Sequence, residues 1–312
     1  MKFRIEDGTF RSTDGIHNVH FSFFLPKEVK AIMVIVHGMY EFKERYFDFS
    51  EFLARNGIAA FCYDQLGHGK TVNDETEKGW FGENNGVEYI QGDVYKSIAY
   101  VKNAFPDKKI ILFGHSMGSF IARYFAVNTP NFIDALVISG TNGGNSAVDM
   151  AIALSSFVSK FNGSKTINKT IDKLTMGGNN KKFEKEGETS PYAWISRDKN
   201  VQKECEKNSF VFTAQGFCDM FKMLKFISSG RWFIDFPKNL PVLLISGEDD
   251  PIGDFGKGVM NIYKRLKINK VSDVKIKLYP QCRHEPLNEL NKDEVYQDIL
   301  TWLDCKKLYV VK

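Results

Sequence analysis

The chain has 312 residues, 43% hydrophobic and 26% charged, which supports an independent core and excludes wholesale disorder. Its net charge of +4 is too small an excess to argue for nucleic acid, whose binders concentrate basic residues on one face. No apolar run approaches the roughly 18 residues that a membrane-spanning helix needs.

In chain order, Val19 to Leu25 predicts a strand stopped by Pro26, and the continuous run Ala31 to Val36 predicts a strand buried on both faces. Glu44 to Arg55 predicts a helix ended by Asn56-Gly57, and Ile58 to Tyr63 a second buried strand. Val87 to Asn103 predicts a helix, Ile110 to Phe113 a third buried strand, Met117 to Val127 a helix and Ala135 to Ile138 a fourth strand. The alternation then pauses. Between about Thr141 and Phe236 no buried strand stands out; Ala147 to Phe161 and Val211 to Ile227 predict helices, and the polar stretch 177–182 between them a mobile loop. Strands resume at Val242 to Ile245 and Val274 to Leu278, and Lys292 to Cys305 predicts a closing helix. Buried strands alternating with helices specify an α/β fold with a mostly parallel central sheet flanked by helices. The expected organisation is one core, residues 1–140 and 237–312, interrupted by a helical cap insertion, residues 141–236.

Charges in the first eight residues stand where a secretion signal would carry its apolar core, so no export signal is expected. Cys62, Cys205, Cys218, Cys282 and Cys305 are scattered, with no C-x-x-C pair, which fits a reducing cytoplasm better than a disulfide framework or a zinc site.

Gly114-His115-Ser116-Met117-Gly118 matches G-x-S-x-G. A buried strand leads in and a helix leads out, the strand–turn–helix setting that exposes a nucleophilic serine. A serine hydroxyl needs a base within hydrogen-bond reach, and the base needs an orienting acid. Of six histidines, His284 is the candidate base because it follows a late strand; His17 and His20 are expected to be surface or packing residues, and His115 to point away from Ser116. Asp250 is the candidate acid, in the loop after the strand from Val242, with Asp249 and Asp254 as rivals. A metal site at those three aspartates is disfavoured because their spacing does not match a calcium loop. Glu285 is expected to be a solvated or structural charge. The oxyanion formed on attack needs preorganised N–H donors; Met117 and Met39 are the candidate backbone donors, the latter in the His37-Gly38-Met39-Tyr40 loop.

His37-Gly38-Met39, Glu44-Arg45-Tyr46, Asp64 to Gly69, Gly114 to Gly118, Gly247 to Asp250 and Arg283-His284-Glu285 appear in order. Together they resemble the α/β-hydrolase superfamily, within it the monoacylglycerol lipase and bacterial lysophospholipase-like serine hydrolases, over nearly the whole chain. The resemblance implies a carboxylic ester hydrolase with a lipid-like or other small-molecule ester substrate, no cofactor and no metal. Tyr40 stands where that family carries a glycine and Phe42 where it carries a histidine, which adds bulk near the entrance. Apolar cap segments such as Ala151 to Leu154 and Phe217 to Phe226 could line an acyl pocket or simply pack on the core.

Two other readings remain open. An aminopeptidase or amidase on the same core would need an acidic cap site, for which Glu184, Glu186, Glu188, Glu204 and Glu206 are candidates, although their interspersed lysines suggest solvated surface. A non-catalytic binding protein could use the same scaffold. Transient membrane contact of the cap is compatible with a lipase, yet no strongly basic amphipathic helix supports it.

Overall fold

The computed structural model describes residues 3–144 and 147–308. Its elements in chain order are β1 (Phe3–Arg11), β2 (Asn18–Pro26), β3 (Ala31–Val36), α1 (Phe47–Arg55), β4 (Ile58–Tyr63), α2 (Gly86–Ala104), β5 (Lys109–His115), α3 (Met117–Asn128) and β6 (Ala135–Ser139). Six helices follow: α4 (Val148–Asn162), α5 (Lys169–Met176), α6 (Lys181–Lys185), α7 (Lys199–Asn208), α8 (Ala214–Ser228) and α9 (Gly230–Asp235). The chain then re-enters the sheet with β7 (Val242–Gly247), α10 (Lys257–Ile268), β8 (Val274–Tyr279) and α11 (Lys292–Cys305).

The strands form one sheet in the order β1-β2-β4-β3-β5-β6-β7-β8. From β4 to β8 neighbouring strands run parallel, while β1 and β2 are antiparallel additions at one edge. The order reverses at β3, which lies between β4 and β5; such a switch point opens a crevice at the carboxyl ends of the strands. Alternate residues of β3 serve opposite faces, as strand geometry requires. Ile32, Val34 and Val36 pack with α2, α3 and α10 residues such as Ile98, Ile121 and Ile262. Met33 and Ile35 pack with α1 and α11 residues such as Phe49, Leu53 and Ile299.

The strong apolar runs form the expected strands, and β1, α7 and α10, which sequence reasoning missed, bury little. β1 is exposed or half-buried along its length, so it carries no buried run; it is held by nine register pairs with β2. α10 buries only Val259, Ile262 and Leu266, and α7 only Gln202. The stretch 177–182 is not the expected loop throughout. It turns and enters α6, and it is anchored by Asn180, whose side chain donates to Ser190 O (3.0 Å) and accepts from Trp194 N–H (3.1 Å).

Arg123 ties the stems of the helical segment to α3. Its guanidinium is fully buried, donates to Asn142 O (3.0 Å) and Ile227 O (2.8 Å), and lies 4.5 Å from the ring centre of Trp232. Burial, reinforced by the Arg265 charge, pushes its pKa down to about 9.

Candidate active site

The crevice at the sheet reversal is built first by a forced turn. β5 ends at His115, α3 begins at Met117, and Ser116 between them holds φ 52° and ψ −121°. A non-glycine residue there costs about 1–3 kcal/mol, so neighbouring structure must impose it. The two motif glycines permit it. A Cβ on Gly114 would sit 2.3 Å from Gly118 O, and one on Gly118 would sit 2.1 Å from Val36 O. Ser116 N–H donates to Ser139 O (3.0 Å), and Ser116 O accepts from Ser119 N–H (2.9 Å), so the turn is pinned on both sides.

The structure brings the three candidate side chains together across 168 residues of sequence. His284, in the loop after β8, has Nε2 2.9 Å from Ser116 Oγ and Nδ1 2.9 Å from Asp250 Oδ1. Asp250 is fully buried; its carboxylate also accepts from Ser246 Oγ (3.1 Å) and Ile252 N–H (2.9 Å). With Nδ1–H donated to Asp250, Nε2 is the free base facing the hydroxyl. The rivals stand elsewhere: Asp249 pairs with Lys182 (2.5 Å), and Asp254 is exposed.

The His284 ring lies between two others, with ring centres 4.8 Å away at His115 and 5.1 Å away at Trp194. Burial opposes a positive charge on His284, but the Asp250 charge and hydrogen bond outweigh it, and the pKa is raised above the ordinary histidine value. Burial, reinforced by the His284 charge, pushes His115 down to about 3. His115 therefore stays neutral beside His284, and its Nδ1 meets Ser139 Oγ at 3.1 Å. Trp194 carried no sequence signal, because its partner lies 90 positions away.

Met39 and Met117 flank Ser116 in the same cavity wall. Among the described residues neither backbone N–H has a hydrogen-bond partner, so both remain available as donors. A Cβ on Gly38 would lie 3.1 Å from Ser116 Cβ, which shows how closely that loop crosses Ser116. His37 Nε2 accepts from Gln65 N–H (3.1 Å), and burial holds this ring well below ordinary histidine basicity, consistent with a structural role.

Behind the loop lies a charge network that motif reading quoted without assigning. Glu41 accepts from Gly38 N–H (2.5 Å) and Tyr46 Oη (2.6 Å). Arg45 pairs with Glu285 (2.5 Å), Glu204 (3.0 Å) and Glu41 (3.6 Å). Glu285 is thus a buried structural charge, and Glu204 is not free surface. Glu41, His115 and Glu285 bring ligand-type atoms within 4.8 Å of one another, but the Arg45 guanidinium already supplies the cation for those carboxylates. Of the other histidines, His17 is buried between Asp14 (2.5 Å) and Glu77 (2.9 Å), a packing role.

A cavity of about 390 Å³ opens over Ser116. Phe120, Leu154, Ile171, Met220, Phe221 and Leu224 form much of its wall, and among the described residues no acidic side chain lines it. Glu188, offered above for an acidic cap site, instead pairs with Arg283 (2.9 Å) and Lys199.

The model of the family described as serine aminopeptidase, S33, matches residues 27–291. A monoglyceride lipase homolog of Monkeypox virus is 27% identical over 280 residues, covering 88% of this chain and 89% of that protein. A proline iminopeptidase of Thermoplasma volcanium is 32% identical over 149 residues, covering 48% of this chain and 46% of its own. Among solved structures, a highly thermostable carboxyl esterase from Bacillus coagulans superposes with a TM-score of 0.89 at 26% identity, covering 96% of this chain and 98% of that one.

Proposed function

The chain belongs to the serine aminopeptidase S33 family of α/β-hydrolases, and from that premise we propose that it hydrolyses carboxylic esters of the monoacylglycerol lipase type through an acyl-enzyme on Ser116. The observation that carries the reading is the pair of 2.9 Å contacts from His284, to Ser116 Oγ on one side and Asp250 on the other. His284 takes the serine proton as Oγ attacks the ester carbonyl. The Asp250 carboxylate holds the tautomer and stabilises the imidazolium. The N–H groups of Met39 and Met117 receive the oxyanion, and their lack of other partners means that nothing must be broken to do so. His284 then protonates the departing alcohol, and water repeats the sequence on the acyl-enzyme. The chemistry needs no metal or cofactor.

The substrate reading rests on the cavity. Its apolar wall suits an acyl chain and, among the described residues, offers no carboxylate to a peptide amine, which favours the ester over the aminopeptidase reading. In this proposal residues 1–140 and 237–312 are the catalytic core and residues 141–236 the cap. Met150, Leu154 and Leu174 line the cavity and are also exposed, and Phe157 and Phe161 extend that apolar stripe along α4. The stripe supports transient contact with a lipid surface. No helix of the described residues is long and apolar enough to cross a membrane. A cytoplasmic location is part of the same proposal and agrees with five free cysteines.

The test is hydrolysis of p-nitrophenyl esters from acetate to palmitate, with Ser116→Ala beside the parent protein. Turnover that disappears in the variant and favours medium or long chains is the expected result. A maximum at acetate removes the lipid-like substrate, and ester turnover retained by the variant removes the mechanism.

A further inference from the structure

Tyr40 directly follows Met39 in the loop that carries the candidate oxyanion donor. Its hydroxyl donates to Asp172 Oδ1 at 2.6 Å, across 132 positions of sequence. Phe210 and Phe212 meet its ring edge-on, each with ring centres 5.6 Å away, and so fix the direction of the phenol. On the other side, the carbonyl of Met39 is held by His68 Nε2 at 2.7 Å. The Met39 peptide is therefore gripped at its carbonyl by the core and at its following residue by α5.

Asp172 sits on the helix that walls the cavity. Ile171, Leu174, Thr175 and Met176 of α5 all line it. Only Ile171 of this helix is buried, and Leu174 is 72% exposed, so α5 has little packing of its own to hold it in place. Among the described residues, the Tyr40–Asp172 contact is the one hydrogen bond that joins α5 to the core. A glycine at position 40, as in the resembled family, could not make it.

We propose that Tyr40 and Asp172 couple the acyl-chain wall to the oxyanion loop, which makes Tyr40 a positioning residue that sets chain-length preference. The inference rests on the ester-hydrolase reading above and deepens it. A chain long enough to pack on Ile171 and Leu174 seats α5. The seated helix holds the Tyr40 hydroxyl, and the held tyrosine keeps the Met39 N–H aimed at the carbonyl oxygen. A short acyl group never touches α5 and gains nothing from the link. The advantage of a long chain is thus expressed in the chemical step as well as in binding.

The experiment compares p-nitrophenyl laurate with p-nitrophenyl acetate in Tyr40→Phe, Asp172→Ala, the double variant and Asp172→Asn, whose amide oxygen still accepts the hydrogen bond. Calorimetric titration with laurate runs alongside. The expected result is a fall of about tenfold in the laurate-to-acetate ratio of kcat/KM in either single variant, carried largely by kcat. The double variant should fall no further, as for two partners of one bond, and Asp172→Asn should keep the parent ratio. An unchanged ratio in Tyr40→Phe, or additive losses in the double variant, overturns the proposal. If the parent protein shows no Ser116-dependent turnover, the ester-hydrolase reading fails by itself and the laurate titration decides the link. Weaker laurate binding in Tyr40→Phe and Asp172→Ala, restored in Asp172→Asn, upholds it; equal binding in all four proteins overturns it.

Discussion

The helical segment between β6 and β7 contains two differently built regions. Apart from the Tyr40–Asp172 bond, α4 and α5 meet the site mainly through apolar side chains lining the cavity, and several of these remain open to solvent. The stretch from α6 to Asp198 meets the site through polar bonds to the loops that carry Asp250 and His284. Lys182 pairs with Asp249, beside Asp250, and Glu188 pairs with Arg283, beside His284. Arg283 also donates to Ala193 O (2.6 Å), while His284 N–H and Glu285 N–H donate to Trp194 O (3.3 Å) and Ile195 O (2.9 Å). Directional bonds fix geometry, whereas apolar contact tolerates exchange of one side chain for another of similar volume. One region is therefore suited to hold catalytic loops still, and the other to vary with the substrate.

That contrast is broken or sharpened by variants on each side. The reference is Asp250→Asn, which removes the charge that orients His284; kcat should fall about 10⁴-fold for every ester, by steady-state kinetics. A loss confined to long chains would mean that Asp250 does not serve the base. Next, Trp194→Ala opens one face of the His284 ring. The expectation is a loss of about tenfold in kcat, equal for acetate and laurate esters, with KM little changed. A chain-length-dependent loss would place Trp194 with the cavity wall and erase the distinction between the two regions.

On the apolar side, Ile171→Ala should lower kcat/KM for p-nitrophenyl laurate about fivefold, through kcat as well as KM, and leave acetate near the parent value, as expected for lost methyl and methylene contacts that seat α5. An equal effect on both substrates would mean that α5 acts on the site whatever the chain length. The pH profile gives the smallest effect. His284 must be neutral to accept the serine proton, and its pKa is raised, so kcat/KM should rise with pH through a midpoint above 6.5. The midpoint should be the same for short and long esters, because the charge that sets it belongs to Asp250. A midpoint below 6.5 would mean that burial, not Asp250, dominates.

Legibility in the sequence followed the range of the interaction. Ser116 was visible because everything that shapes its turn lies within five residues and two flanking elements. Asp250 and His284 were identified because both follow buried strands whose runs are plain, and the crevice of a parallel sheet lies at those strand ends. β1, α7 and α10 were missed because they present mostly solvated faces and so lack the apolar periodicity on which such reading depends. The polar run 177–182 suggested a loop because composition does not reveal that Asn180 has buried partners. The acidic residues of the segment looked like solvated surface for the same reason, yet Glu188 and Glu204 are engaged by Arg283 and Arg45.

From the sequence came the alternating α/β core, the strained serine turn and the chain order of Ser116, Asp250 and His284 as candidate site residues, because periodicity and turn chemistry are local properties. Only the tertiary structure decided what surrounds them. Arg45 meets Glu285 across 240 positions, and Tyr40 meets Asp172 across 132. No spacing rule encodes such pairs. They exist because the sheet reverses at β3 and folds distant loops over one crevice, where desolvated charges and hydroxyls must find whatever partner the packing brings within reach.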